Sequence, residues 1–81
     1  MNRILFVCLG NICRSPIAHG VAEHIARTRK LELFVDSAGT SDWHKGEAPC
    51  DNSIRVARQY DIDISQQRSR PIIKEDTLSF T

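Results

Sequence analysis

The chain has 81 residues, of which 41% are hydrophobic and 26% are charged, and its formal net charge is +1. This length predicts one small domain, residues 1–81, and the nearly balanced charge favours neither nucleic acid nor a membrane as a partner. The chain shows neither an apolar stretch of membrane-spanning length nor a secretory signal pattern, so a cytoplasmic location is expected. Three cysteines, Cys8, Cys13 and Cys50, are an odd number, which favours reduced thiols over a disulfide framework.

Two strands joined by a helix are predicted in the first half of the chain. The unbroken apolar run of residues 4–8 is typical of a strand that is buried on both faces, as in a parallel sheet. Residues 15–30 are predicted to form a helix, because apolar residues recur at every fourth position, with Ser15 as its N-cap and Pro16 at its first position. Residues 33–37 are predicted to form the second strand. This order indicates parallel strands joined by a crossover.

The second half of the chain carries weaker signals. Residues 40–49 are turn-formers and predict a loop, and a second helix is expected from residue 50 or 51 to Tyr60. Residues 61–72 read as an extended, polar segment. Residues 74–81 could begin a further helix, because acidic residues cluster in what would be its first turn. Together the elements predict an α/β fold with a parallel sheet flanked by helices.

The turn at residues 9–14 joins the first strand to the helix N-terminus, where free N–H groups and the helix dipole favour an anion. Gly10 is expected to let the backbone turn and approach a ligand, while Asn11 tolerates left-handed backbone conformations. Arg14 adds a planar guanidinium that matches two phosphate oxygens. Cys8 lies beneath these donors, so its thiol pKa should fall and its thiolate should act as a nucleophile.

Other interpretations of the cysteines are weaker but stay open. Cys8 and Cys13 could be two small buried hydrophobic residues at a strand–helix junction, although the Arg-Ser-Pro sequence that follows favours a phosphate loop. A redox pair of the thioredoxin type has two intervening residues, whereas this pair has four. His19 and His24 are five positions apart and do not share a helical face, so no metal site is predicted.

The stretch CLGNICRSP at residues 8–16 resembles the low-molecular-weight protein-tyrosine phosphatase family. The likeness continues through DSAGTSDWHKG at residues 36–46 and IDISQQRSRPI at residues 62–72, so it covers essentially the whole chain. It implies a flavodoxin-like α/β fold in which the phosphate loop lies beside the first strand. It also implies a cytoplasmic hydrolase that acts on phosphotyrosine proteins or small aryl phosphates through a cysteinyl-phosphate, without a cofactor.

The resemblance implies a role for several residues. Cys8 would be the nucleophile, Arg14 would hold the phosphoryl oxygens, and Ser15 would stabilise the Cys8 thiolate as a leaving group. The main-chain phosphate ligands would be Leu9, Gly10, Asn11, Ile12, Cys13 and Arg14. Asn11 would brace the loop through Ser37, which is expected at the end of the second strand.

Other residues would surround this centre. Cys13 would form a protective disulfide with Cys8 on oxidation, and Trp43 would line the entrance for an aromatic ring. Cys50 is expected to be a packing residue at the start of the second helix. Arg68 and Arg70 are expected to be solvated charges, with Arg70 the better candidate for pairing with an acidic residue.

Family features are missing as well. Members of the family are roughly twice this length, and they carry a general acid in an Asp-Pro motif, which this chain lacks because its three prolines follow Ser15, Ala48 and Arg70. Gln67 stands where members commonly have histidine. The chain therefore looks like the N-terminal half of a phosphatase domain, truncated after the second strand and the helices that follow it. Alternatives are an inactive anion-binding fragment or an arsenate reductase-like thiol enzyme, although the latter needs redox cysteines beyond Cys50.

The strand order of the family, two-one-three-four, also predicts a consequence for assembly. Without the third and fourth strands, the first strand would pair only with the second and expose its other edge beside the phosphate loop. We therefore expect marginal stability or self-association through this edge.

Overall fold

The computed structural model describes residues 2–41 and 43–80. Five elements follow one another along the chain: β1 (Asn2–Cys8), α1 (Arg14–Thr28), β2 (Leu33–Gly39), α2 (Asp51–Arg58) and α3 (Lys74–Ser79). The predicted α/β order is confirmed. None of the helices in the described ranges is both long enough and apolar enough to span a membrane.

The two strands form a parallel sheet, as predicted. Asn2 lies opposite Leu33 at one end of the register, and Cys8 lies opposite Gly39 at the other. The chain returns to this end of β2 later, where the N–H of Gly39 donates to the Arg70 carbonyl at 2.8 Å. The extended segment after α2 is thereby attached to the sheet beside the carboxyl ends of both strands.

A hydrophobic core cluster lies between α1, α2 and the segment that follows α2. It is formed by Ala57 of α2 with Ile62 and Ile64 of the following segment, against Ile17 of α1 and Ile54 of α2. Burying these side chains fixes the extended segment against the two helices.

The prediction that β1 is buried on both faces is wrong, because Ile4 and Val7 are 39% and 45% exposed. Within the described part of the chain, β1 pairs with β2 alone. A continuous apolar run predicts burial only where a neighbour covers each side of the strand. The edge of β1 away from β2 is correspondingly unpaired among the described residues.

Helix α1 begins one residue earlier than expected, and Ser15 is not its N-cap. Cys13 is the N-cap and makes no side-chain capping bond, so Ser15 and Pro16 are the second and third helical residues. The Ser15 hydroxyl is drawn instead to Cys8 Sγ, at 3.0 Å. Pro16 fits at its position, because N–H groups of the first turn have no acceptor within the helix.

The other helices also differ slightly from their predicted limits. Helix α1 ends at Thr28 rather than at Lys30, which adopts a left-handed conformation with φ 55°. Helix α2 ends at Arg58 rather than at Tyr60. The helix expected to begin within residues 74–81 is present as α3.

The sheet face opposite α1 is occupied by the chain around α3. Phe34 packs on Phe80, with ring centroids 5.8 Å apart. Arg70 donates to Asp36 at 3.0 Å and to Asp76 at 2.9 Å, which confirms the expectation that Arg70 pairs with an acidic residue. The Arg70 hydrogen bond is the main cause that holds the pKa of Asp76 below its ordinary value. This ion-pair cluster connects β2, the extended segment and α3.

Candidate functional site

The candidate site surrounds the turn between β1 and α1. Cys8, the last residue of β1, places its Sγ at the base of the loop formed by residues 9–13. The N–H of Asn11 donates to this sulfur at 3.2 Å, and the Ser15 hydroxyl lies 3.0 Å from it. The sulfur of Cys8 is therefore surrounded by hydrogen-bond donors from the loop and from the first turn of α1.

The carbonyl groups of the loop point away from its centre, because residues outside the loop donate to four of them. These carbonyls belong to Leu9, Gly10, Ile12 and Cys13, and their donors are Ser41, Ser69, Cys50 and Ser53 respectively. In a trans peptide the next N–H points opposite to the carbonyl, and none of these peptides is cis. The N–H groups of residues 10, 11, 13 and 14 therefore point inwards, forming a concave nest of donors suited to an anion.

Asn11, rather than Gly10, makes the left-handed turn of this loop. Its φ is 56°, whereas the φ of Gly10 is not positive. Gly10 is small for another reason: a Cβ at this position would lie 3.1 Å from Cδ2 of His44. The strained backbone of Asn11 is offset by its side chain, which donates to Ser15 Oγ at 2.8 Å and to Ser37 Oγ at 3.0 Å.

Two further observations complete the Asn11 contacts. The Arg70 N–H donates to Asn11 Oδ1 at 3.0 Å, which fixes the orientation of the amide. Ser37, the last residue of the predicted second strand, lies inside β2 because this strand continues to Gly39, and it is buried. The contact between Asn11 and Ser37 therefore ties the loop to a rigid strand, a more restrictive anchor than a connecting loop would be.

The pKa of Cys8 is lowered from its ordinary value, and the physical causes oppose one another. Partial burial raises the pKa, but the hydrogen bond from the Ser15 hydroxyl and those from the N–H groups of Ser15, Asn11 and Gly10 together lower it by more. The direction matches the sequence expectation. The cause differs, because hydrogen bonds to the thiolate produce the shift and the charge of Arg14 is not among its causes.

A cavity of about 240 Å³ opens above the sulfur. Its lining residues are Cys8, Leu9, Gly10, Ile12, Cys13, Arg14, Trp43 and His44. Trp43 is 75% exposed, so it contributes to the outer part of this cavity. The His44 ring is oriented by Glu47, whose carboxylate lies 2.9 Å from Nδ1. The cavity thus combines a thiol sulfur with a lowered pKa, inward N–H donors, a guanidinium and an aromatic rim.

Comparison with known proteins identifies this arrangement. The model of the family described as low molecular weight phosphotyrosine protein phosphatase matches residues 3–80. The chain belongs to this family. A Drosophila melanogaster protein named low molecular weight phosphotyrosine protein phosphatase 2 is 38% identical over 81 residues, which are 98% of this chain and 49% of that protein.

Two solved phosphatase structures have a similar fold. A protein tyrosine phosphatase from Entamoeba histolytica matches with a TM-score of 0.93 and 34% identity, over 99% of this chain and 52% of that one. An arginine phosphatase from Drosophila matches with a TM-score of 0.87 and 34% identity, over 94% of this chain and 48% of that one. The chain thus spans about half the length of these phosphatase relatives.

One feature of this chain contradicts the sequence expectations directly. Cys13 and Cys50 form a disulfide, with Cα atoms 5.4 Å apart, and Cys8 is a free thiol. Cys13 is thus paired with Cys50 rather than available to Cys8, and Cys50 is not merely a packing residue. The N–H of Cys50 donates to the Ile12 carbonyl at 2.7 Å, and this contact brings the start of α2 against the loop of residues 9–13. A sequence separation of 37 residues gave no signal of this proximity.

Other contacts of the site were also not predicted. His19 Nδ1 lies 3.0 Å from Ser37 Oγ, although the sequence pattern assigns His19 no role beyond that of a pair with His24 unsuited to a metal. Gln67 donates to the Pro16 carbonyl at 3.0 Å and so links the extended segment to α1. Arg68 is exposed and bonds to backbone carbonyls. The described residues contain no cluster of three or more His, Cys, Asp or Glu side chains that could hold a metal ion.

Proposed function

We propose that this chain carries the nucleophile and the phosphate-binding loop of a protein-tyrosine phosphatase, and that Cys8 forms a cysteinyl-phosphate during hydrolysis. The observation that supports this most strongly is the position of Cys8 Sγ at the base of a ring of inward N–H groups, with hydrogen bonds that lower its pKa. A thiolate in such a ring meets the two requirements of phosphoryl transfer, a nucleophile and fixed positive partners for the equatorial oxygens.

The reaction has two steps. The Cys8 thiolate attacks phosphorus, the P–O bond to the leaving group breaks, and a cysteinyl-phosphate forms. Arg14 and the N–H groups of the loop stabilise the charge on the three equatorial oxygens. Water then attacks phosphorus and the P–S bond breaks. Ser15, whose hydroxyl lies 3.0 Å from Cys8 Sγ, stabilises the departing thiolate in this second step.

The substrates we propose are phosphotyrosine proteins or small aryl phosphates, because the exposed Trp43 lines the outer part of the cavity and can stack on an aromatic ring. Phosphoarginine is a second candidate. One structure of similar fold is an arginine phosphatase, and an exposed indole also binds a guanidinium through its π face. The substrates to be assayed therefore include phosphate monoesters, such as phosphotyrosine, and the phosphoramidate phosphoarginine.

Among the described residues, none of those that line the cavity carries a carboxyl group. A tyrosine leaving group, with a pKa of about 10, needs a proton in the transition state, and a positioned acid contributes on the order of 10²–10⁴-fold. We therefore expect this chain to hydrolyse aryl phosphates with acidic phenols slowly and phosphotyrosine scarcely. An inactive anion-binding fragment is the limiting case of this expectation.

The test is a rate series over aryl phosphates of graded phenol pKa, with phosphoarginine included. Cys8→Ser should abolish turnover, and Arg14→Lys should lower it about 100-fold or more because a point charge cannot replace the planar fork. Arg68→Lys is the matched control, since Arg68 is exposed and bonds only to backbone carbonyls. Unchanged turnover in Cys8→Ser would refute the proposal. A flat dependence on phenol pKa would reveal an acid, and His44→Gln would then identify whether the ring at the cavity supplies it.

An arsenate reductase-like reaction is less well supported. Such chemistry requires a second free thiol to attack the adduct on Cys8, but Cys13 and Cys50 are joined in a disulfide. Loss of arsenate on incubation with the reduced protein and thioredoxin, at a rate exceeding phosphate ester hydrolysis, would favour that alternative.

Two further expectations accompany this function. The unpaired edge of β1 is the surface through which we expect self-association, and sedimentation velocity over a concentration series should show species larger than the monomer. We also infer a cytoplasmic location, which microscopy of a fluorescently tagged full-length protein would test.

A further inference from the structure

His19 extends the hydrogen-bond network of the phosphate loop to a titratable side chain. It lies in the second turn of α1, and its side chain is only 12% exposed. Nδ1 lies 3.0 Å from Ser37 Oγ, and Nε2 lies 3.3 Å from Oε1 of Glu23, one turn further along the same helix. The imidazole thus contacts the buried serine that holds Asn11, while its other nitrogen faces a carboxylate.

The orientation of every proton in this network follows from the Asn11 amide. Its Oδ1 accepts the Arg70 N–H, so its two N–H groups point to Ser15 and Ser37, at 2.8 Å and 3.0 Å. Each serine oxygen therefore accepts from Asn11 and has one proton left to donate. The proton of Ser15 goes to Cys8 Sγ.

Among the described residues, the Ser37 hydroxyl proton has one acceptor within hydrogen-bond distance, Nδ1 of His19. A neutral imidazole that accepts at Nδ1 carries its proton on Nε2, which faces the carboxylate of Glu23. Protonation of Nδ1 would leave two donors, His19 and Asn11, on the Ser37 oxygen and deprive the serine hydroxyl of its acceptor. The neutral Nε2–H tautomer is thus the form that satisfies every member of the network.

We propose that His19 is a positioning residue for the nucleophile, which acts by accepting the Ser37 hydroxyl proton and thereby holding Asn11 in the orientation that directs Ser15 towards Cys8. This inference deepens the proposed function, because it assigns a supporting residue to the same site. His19 contacts neither the substrate cavity nor Cys8. It acts through three buried side chains, and loss of its acceptor leaves the hydroxyl of Ser37, which is 5% exposed, without a partner.

The test measures the Cys8 thiolate directly, through the pH dependence of its alkylation by iodoacetamide. Under non-reducing conditions Cys13 and Cys50 are held in their disulfide, so Cys8 is the reacting thiol. We expect His19→Leu to slow alkylation at pH ~6 by about three- to tenfold, the effect of losing one hydrogen bond, and to move the profile to higher pH. His19→Gln should recover most of the loss, because its amide oxygen can accept the same proton.

His24→Leu is the matched control. It lies on the same helix, and its ring makes no hydrogen bond with the described residues, so its profile should equal that of the unmodified protein. Equal profiles for His19→Leu and the unmodified protein would overturn the proposal, and so would a His19→Gln variant that behaves like His19→Leu. Alkylation requires no turnover, so this result is independent of whether the proposed phosphatase reaction occurs.

A measurement on the unmodified protein keeps the proposal testable if His19→Leu does not fold. Long-range ¹H–¹⁵N NMR correlations of the His19 ring should show that the neutral ring carries its proton on Nε2. The Nδ1–H tautomer would overturn the proposal, because it cannot accept the Ser37 proton at Nδ1.

Discussion

Replacing Cys50 by serine should remove a large part of the stability of this chain. The Cys13–Cys50 disulfide joins residues separated by 37 positions. The loop-closure relation for a crosslink of this length gives about 13 cal/mol/K, or about 4 kcal/mol at 25 °C, by which the disulfide restricts the unfolded chain. A domain of 81 residues has a total unfolding free energy of about 4–12 kcal/mol at the usual value per residue.

Two hydrogen bonds between the loop and the start of α2 do not depend on the crosslink. The Cys50 N–H donates to the Ile12 carbonyl at 2.7 Å, and the Ser53 hydroxyl donates to the Cys13 carbonyl at 3.1 Å. The folded contacts are therefore expected to survive in Cys50→Ser, and the loss should arise mainly from the greater freedom of the unfolded chain.

The assay is urea denaturation followed by far-ultraviolet circular dichroism, with and without a reductant. Reduction should lower the unfolding free energy of the unmodified protein by about 4 kcal/mol. The unfolding free energy of Cys50→Ser should equal that of the reduced protein and should not change when the reductant is added. Cys8→Ser is the control, because it removes a cysteine without removing the crosslink. The reasoning is refuted if the oxidised protein, with its disulfide verified by mass analysis, is no more stable than Cys50→Ser.

Further predictions concern the ion-pair cluster, the end of β2 and the oxidation of Cys8. Arg70 lowers the pKa of Asp76 from its ordinary value of 3.8, so the pair contributes fully to the free energy of unfolding above pH ~4 and loses this contribution as the pH falls through the lowered folded-state pKa. Asp76→Asn should therefore flatten the decline of the urea midpoint at acidic pH, and an unaltered decline would contradict this prediction. Gly39→Ala would place a Cβ 2.9 Å from the Leu9 carbonyl oxygen, so it should cost roughly 1–3 kcal/mol in urea denaturation, whereas no loss would show that the loop can shift freely. Peroxide treatment should yield a Cys8–Cys13 disulfide only after prior reduction, and its formation in the unreduced protein would show that the existing crosslink exchanges.

Much of the architecture followed from local sequence patterns. The apolar run at residues 4–8 and the four-residue periodicity of residues 15–30 were sufficient for β1, α1 and the parallel pairing. The same patterns failed where a residue had a partner distant in sequence. Ser15 resembles an N-cap, but its hydroxyl has competing partners in Cys8 and Asn11. Burial of β1 was predicted from a pattern that assumes neighbours on both sides.

The central part of the site was also accessible from sequence, while its supports were not. The spacing of Cys8 and Arg14 located the loop, because the chemistry of phosphate binding requires a strand end, a tight turn and a helix N-terminus in that order. The contacts of Cys50 and His19 depend on how α2 and β2 pack against this loop. Neither contact has a periodicity or a motif, so only the three-dimensional arrangement revealed them.

Trapping the phosphorylated enzyme tests the account most directly. The protein is mixed rapidly with an aryl phosphate that has a strongly acidic phenol, quenched in acid, and digested for mass analysis of the peptide containing Cys8. The account predicts one phosphoryl group on Cys8, formed in a burst with one phenol released per molecule, and its absence in Cys8→Ser. A burst that persists in Cys8→Ser, or phenol release at the normal rate with no phosphate on Cys8, would contradict the assignment of Cys8 as the nucleophile.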